Sequence, residues 1–173
     1  MMNWLCATLM ICAFSPLDTM TYENNDEFIE QTRTCAIWHN TEVPPQHRVP
    51  WQLAVAQAIQ ESNYGKSYFA TEANNIMGIK EFDDTRDGLK PRENPDVKWS
   101  IKIFDTKCQS VIFYMGLLNT NHNYEEFRLE QLKQWTADYV DLEKLAKSVA
   151  IYAEDVYYTK KIIQILRELK NYE

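Results

Sequence analysis

Between Pro50 and Gly65 the chain runs through Leu53, Ala54, Val55, Ala56, Ala58 and Ile59 and meets one carboxyl group, Glu61. This segment constrains the fold more than any other. Pro50 suits a first helical turn because it has no N–H to leave unpaired, and Gly65 suits the stop. The residues between predict a helix over Trp51–Asn63 that is buried on most sides. Glu61 is the only acid between Val49 and Ala70, and it arrives at the end of that helix. A helix C-terminus is negative and apolar neighbours desolvate, so both disfavour the charged form of a carboxyl. A glutamate so placed can stay protonated near neutrality and donate a proton. From the local pattern alone, an ordinary solvated glutamate at a helix end fits as well.

The 173-residue sequence is compatible with one domain around such a helix. A chain of this size removes roughly 68–70% of its extended surface from water, enough for a proper core. Hydrophobic residues at 45% and charged residues at 25% exclude a disordered chain. Only 4 Gly and 6 Pro exclude a collagen-like or low-complexity one. The net charge is −7, and no basic stretch exceeds Lys160-Lys161, so a nucleic-acid partner is not expected. The aromatic share of 13% leaves room for exposed stacking surfaces beyond the core's needs.

The amino terminus differs from the rest. Residues 1–17 carry no charge, and Trp4 to Phe14 is apolar. That run is shorter than the about 20 residues a membrane-crossing helix needs, but it fits a signal-peptide core, with Ala13 and Ser15 near a cleavage point. Against this, no Lys or Arg precedes it, and a buried helix is the other reading. No other segment could span a membrane. Export to the periplasm or cell envelope is the expectation, with residues 18–42 as a lead-in and residues 43–171 as the main domain. Cys6 and Cys12 would leave with a signal. Cys35 and Cys108 would remain, able to bridge in an oxidising compartment or to persist as buried thiols. No CxxC occurs, and His39, His47 and His122 are scattered, so neither a metal site nor a cofactor is expected.

Along the chain, residues 18–34 suit a lead-in helix with Phe28 and Ile29 as its apolar patch. The three prolines from Val43 to Pro50 mark a loop, and Glu81 to Pro95 is another. Val97 to Phe104 alternates, which predicts a strand with Val97, Trp99, Ile101 and Ile103 on one face. Asp105 can cap the next helix, which carries Cys108, Val111, Ile112, Met115 and Leu118. Helices around Tyr124–Trp135, Leu142–Ile151 and Val156–Leu169 follow, the last with Tyr158, Ile162, Ile165, Leu166 and Leu169 on a stripe.

Several short motifs recur in a known order. They are Ala56-Gln57-Ala58, Glu61-Ser62, Tyr64-Gly65-Lys66-Ser67, then Asn74-Asn75-Ile76-Met77-Gly78-Ile79-Lys80, and finally Tyr152-Ala153-Glu154-Asp155-Val156-Tyr157-Tyr158-Thr159-Lys160-Lys161-Ile162. Residues 43–170 so resemble the glucosaminidase domain of glycoside hydrolase family 73, and especially its Bax-like bacterial branch. The resemblance implies a mainly α, lysozyme-like fold with a small β lobe over a cleft. It implies that Glu61 is the general acid and that Tyr152 assists from across the cleft. Tyr64, Asn75, Ser67 and Tyr158 are the substrate contacts it suggests, Asn75 as part of a motif shaping the cleft floor. Asn74 and Asn75 equally suit turn-satisfying roles, and Tyr64 and Tyr152 equally suit packing.

The same resemblance implies an endo-β-N-acetylglucosaminidase cleaving β-1,4 bonds of peptidoglycan or a related N-acetylglucosamine glycan, secreted, acting as a monomer, without cofactor. Cell-wall remodelling and phage lysis by an endolysin are both compatible with it. One departure stands out. The family often carries an acid in the strand that here reads Trp99-Ser100-Ile101-Lys102-Ile103-Phe104, and Ser100 takes its place. Glu81, Asp83, Asp84, Asp87, Glu93 and Asp96 are near in sequence, and spacing singles out none. A lytic transglycosylase, which works with one glutamate, or a non-catalytic glycan-binding domain would suit that loss.

Overall fold

The structure, a computed structural model, describes residues 20–83, 85–153 and 155–172. The expected signal segment with Cys6 and Cys12, together with Asp84 and Glu154, lies outside the described residues. Seven helices and three short strands follow in order: α1 (Asn25–Thr41), α2 (Trp51–Ser62), α3 (Tyr68–Glu72), β1 (Lys80–Glu81), β2 (Gly88–Leu89), β3 (Ser100–Lys102), α4 (Lys107–Thr120), α5 (Glu125–Thr136), α6 (Leu142–Ser148) and α7 (Tyr158–Glu168). The fold is mainly α with a small antiparallel β lobe, as expected from the sequence.

Helix α2 is the axis of the body. Every residue from Leu53 to Ile59 is buried, and α1, α4, α6 and α7 all pack on it. The alanines at 54, 56 and 58 are wholly covered, and their small side chains let four neighbours approach one helix. Helix α7 supplies the amphipathic partner the stripe predicts, burying Tyr158, Ile162 and Leu166. Residues 25–41 are more than a lead-in. Helix α1 starts on Asn24, whose side chain accepts the Glu27 N–H, and it buries Phe28, Ile29, Cys35 and Ala36 in the common core.

Cys35 of α1 and Cys108 of α4 form a disulfide, with Cα atoms 5.6 Å apart. The bridge ties the first helix to the fourth.

The β region corrects the sequence reading. The strand is only Ser100–Lys102, the middle of a β1–β3–β2 sheet, with Lys80 opposite Ile101 and Glu81 opposite Ser100. Ser100, expected on the outer face, is buried, whereas Ile103 is 47% exposed. The reason is local: Ser100 fills the space left by Gly88, where a Cβ would stand 1.9 Å from the serine oxygen. Ile103 lies beyond the last pairing and has no sheet to face. Helix α4 is capped by Thr106, which accepts the Gln109 N–H, rather than by Asp105.

The disulfide closes a loop of 73 residues, so its loss should lower stability by about 2–4 kcal/mol. Urea unfolding of Cys35→Ser should show a lower midpoint, and mass spectrometry of the unreduced native protein should find no free thiol at Cys35 or Cys108.

Candidate active site

Glu61 lies in the last turn of α2, and the chain leaves that helix abruptly. Asn63, Tyr64 and Gly65 follow one another with φ of 50°, 57° and 71°. Glycine takes this region freely, but an aromatic residue there costs roughly 1–2 kcal/mol. Ser62 holds the reversal. Its hydroxyl donates to the Ala58 carbonyl at 2.6 Å and accepts the Gly65 N–H at 2.8 Å, while its own carbonyl accepts from Lys66 and Ser67. Glu61 is thereby fixed at the rim of the core.

The wall facing it comes from the Asn-Asn-Ile-Met-Gly turn. Gly78 adopts φ +69°, and a Cβ built there would stand 2.8 Å from Glu61 Oε2. Backbone thus comes against the carboxyl where no side chain would fit. Asn75 locks this turn: its amide nitrogen donates to the carbonyls of Ile79 (3.0 Å) and Lys102 (2.8 Å), and its oxygen accepts the Ile79 N–H. Asn74, at φ 51°, donates to the carbonyls of Phe104 and Asp105. Together the two asparagines join the turn to β3 and to the start of α4.

Four tyrosines complete the surroundings. Tyr152, on the 3-10 turn Ala150–Tyr152, packs edge-on to Tyr114 at 5.4 Å, tilted to Tyr124 at 6.4 Å and stacked on Tyr158 at 6.2 Å. Its hydroxyl donates to the Met77 carbonyl, one residue before Gly78. The Tyr158 hydroxyl accepts the Gln57 amide at 2.8 Å and lies close enough to the Glu61 carboxyl to favour its charged form.

Burial among these groups pushes the Glu61 carboxyl up to about 7, against the lowering pull of the Tyr158 hydrogen bond and the Lys80 charge. The same crowding raises the Tyr152 and Tyr158 hydroxyls, which stay protonated throughout. Glu81 has the opposite environment. A backbone N–H from Asp83 and ion pairs to Lys102 (3.2 Å) and Arg86 (3.5 Å) hold it below the usual carboxylate range. It is charged where Glu61 is neutral.

The structure places the residues suggested as substrate contacts as follows. Asn75 is buried and its amide is fully used inside the turn. Tyr158 is 2% exposed, beneath Glu61 rather than beside a substrate. Ser67 caps α3, accepting the Ala70 N–H. Tyr64 turns toward α1, its ring edge-on to Phe28 at 6.0 Å, because its left-handed backbone directs it away from the tyrosine cluster. The surface cavities of about 780 and 860 Å³ lie along α7 and between α2, α6 and α7, and neither is lined by Glu61. Gln57, Gly78, Lys80, Tyr114 and Tyr124 were not singled out by the sequence. Gln57 alone left a signal: it is a polar residue one helical turn before Glu61 in an apolar run.

Two outcomes follow for Glu61. Folding raises its pKa from 4.5 to about 7, so the folded state prefers the neutral carboxyl, by on the order of 3 kcal/mol. That contribution is complete below pH 4.5 and is lost as pH rises through 7. Glu61→Gln should therefore match the native protein in urea unfolding at acid pH and exceed it at pH 8 and above. Gly78→Ala, whose methyl meets Oε2 and whose φ is left-handed, should destabilise by about 1–2 kcal/mol. Restoring the glycine should recover the original midpoint.

No curated protein sequence matches the chain. Solved structures do. The catalytic domain of the autolysin Auto from Listeria monocytogenes superposes with a TM-score of 0.63 at 15% identity, over 96% of this chain and 95% of that one. A peptidoglycan hydrolase from Sphingomonas sp. A1 gives 0.62 at 21% identity, over 86% and 92%. The glycoside hydrolase domain of FlgJ from Salmonella typhimurium gives 0.60 at 19% identity, over 87% and 91%. These similarities show the fold. A family model described as mannosyl-glycoprotein endo-beta-N-acetylglucosaminidase matches residues 39–171, and on that match the chain belongs to the glucosaminidase family.

Proposed function

We propose that the protein is an endo-β-N-acetylglucosaminidase that hydrolyses β-1,4 glycosidic bonds of peptidoglycan, with Glu61 as its general acid. The observation that carries this reading is a carboxyl raised to about 7 by burial at the end of the central helix. A glycosidic oxygen is a poor leaving group until protonated, and a positioned acid contributes about 10²–10⁴-fold. The family assignment supports the bond type, and the names of the Listeria and Sphingomonas relatives support the cell wall as substrate.

Tyr152 and Tyr158 divide the supporting work. Tyr158 donates toward Glu61 and holds it from below. Tyr152 has committed its proton to the Met77 carbonyl, so its oxygen offers lone pairs to the surroundings of Glu61. Such an oxygen favours the neutral acid before transfer and can face the positive charge that develops on the sugar.

The second carboxylate of a two-acid hydrolase has no clear occupant. Ser100 holds the usual place, and the neighbouring Glu81 is neutralised by Lys102 and Arg86. A water or the substrate's own acetamido group would then meet the sugar cation. The same observation favours the lytic transglycosylase as second reading.

Export fits the disulfide, since such bridges persist in oxidising compartments. No helix among the described residues is long and apolar enough to cross a membrane.

Incubation with purified sacculi tests the reading. Released fragments should carry reducing-end N-acetylglucosamine; anhydro ends would instead establish the transglycosylase, and binding without release a non-catalytic domain. Glu61→Gln should abolish release by about 10²-fold or more while still binding sacculi, and Tyr152→Phe should lose less because its ring still packs. Release should fall as pH rises through 7, where the acid loses its proton.

A further inference from the structure

Gln57 is wholly buried in α2, yet its amide is only half used. The nitrogen donates to the Tyr158 hydroxyl at 2.8 Å, while the Oε1 atom is buried without a hydrogen-bond partner. Leaving a buried acceptor unpaired is unfavourable, and an apolar side chain of similar length would avoid it. The residue contributes something other than stability.

The hydroxyl of Tyr158 has one proton. With the hydroxyl oxygen accepting from the Gln57 N–H, its proton is left for another acceptor, and the Glu61 carboxyl is the charged group it interacts with. Gln57 and Glu61 are four residues apart, one turn on the same helix face, so the relay is closed across a single tyrosine from α7. Chained hydrogen bonds polarise one another, which strengthens the final donation.

We infer that Gln57 is a positioning residue for the acid: it fixes the Tyr158 hydroxyl as a donor to Glu61, and so sets the orientation and proton affinity of that carboxyl. The catalytic consequence rests on Glu61 being the general acid; the hydrogen-bond relay does not. The other groups facing Glu61 are Lys80 from β1, Tyr114 from α4, and Tyr124 and Tyr152 from the 3-10 turns. None of them lies on α2, and none hydrogen-bonds the Gln57 amide nitrogen. Substituting Gln57 therefore leaves them in place.

The test uses Gln57→Met, which keeps length and burial but lacks the N–H, in the full chain. With glutamate labelled at the side-chain carboxyl carbon, NMR follows the Glu61 titration, assigned by its loss in Glu61→Gln. Gln57→Met should raise the Glu61 midpoint by on the order of half a pH unit, because a hydrogen bond to the charged form is weakened. Tyr158→Phe should raise it at least as far, and the double variant no further than Tyr158→Phe. The alkaline limb of sacculus digestion should move with it, and the thermal midpoint should not fall. A lower thermal midpoint with an unmoved Glu61 titration would show a merely structural glutamine and overturn the inference. So would a Gln57→Met shift that persists in full on top of Tyr158→Phe. If the titration moves while native protein releases no fragments, the relay stands and the proposed activity fails instead.

Discussion

The close approach of the Gly78 backbone to the Glu61 carboxyl governs how the rest of the site is built. A Cβ at position 78 would stand 2.8 Å from Oε2, and at φ +69° it would be strained as well, so glycine lets the turn lie against the carboxyl without displacing it. Contact at that range excludes water from one side of the carboxyl, and desolvation is the largest cause of its raised pKa. Both segments then need to be held. On the α2 side the Ser62 hydroxyl fixes the left-handed exit, and on the other Asn75 ties the turn to Ile79 and Lys102. The polar motifs around the acid thus serve the acid through backbone geometry.

That geometry separates two carboxylates electrostatically. Glu61 is surrounded by tyrosine rings and a glycine backbone, while Glu81 sits between two cations on the neighbouring lobe. The two differ in protonation near neutrality for that reason alone. The tyrosines add direction: Tyr158 donates toward Glu61, and Tyr152 donates away from it, to Met77. The neutral carboxyl is favoured by burial, and its pKa is kept from rising further by Tyr158 and Lys80.

The covalent tie between α1 and α4 has a counterpart in packing. Phe28 of α1 is fully buried, and Tyr22 ahead of α1 donates to the Gly65 carbonyl in the exit from α2. The first helix therefore supports the segment that carries Glu61, although most of it precedes the residues by which the family is recognised, 39–171. Its polar sequence concealed that role, since only Phe28 and Ile29 advertise a buried face.

What the sequence determined by itself was whatever rests on local pattern: the central helix between Pro50 and Gly65, the amphipathic α7, the mainly α class and the lone carboxyl at the end of the central helix. Apolar spacing and a lone carboxyl are visible residue by residue. Tertiary structure decided the rest. The strand shrank to Ser100–Lys102 because pairing with β1 and β2, not alternation, sets its length. The burial and partners of Tyr158, Asn75 and Tyr64 come from segments distant in the chain, so local pattern could not show them. The hydrogen bond from Gln57 to Tyr158 joins residues 101 apart, a distance across which no sequence period could name the partner.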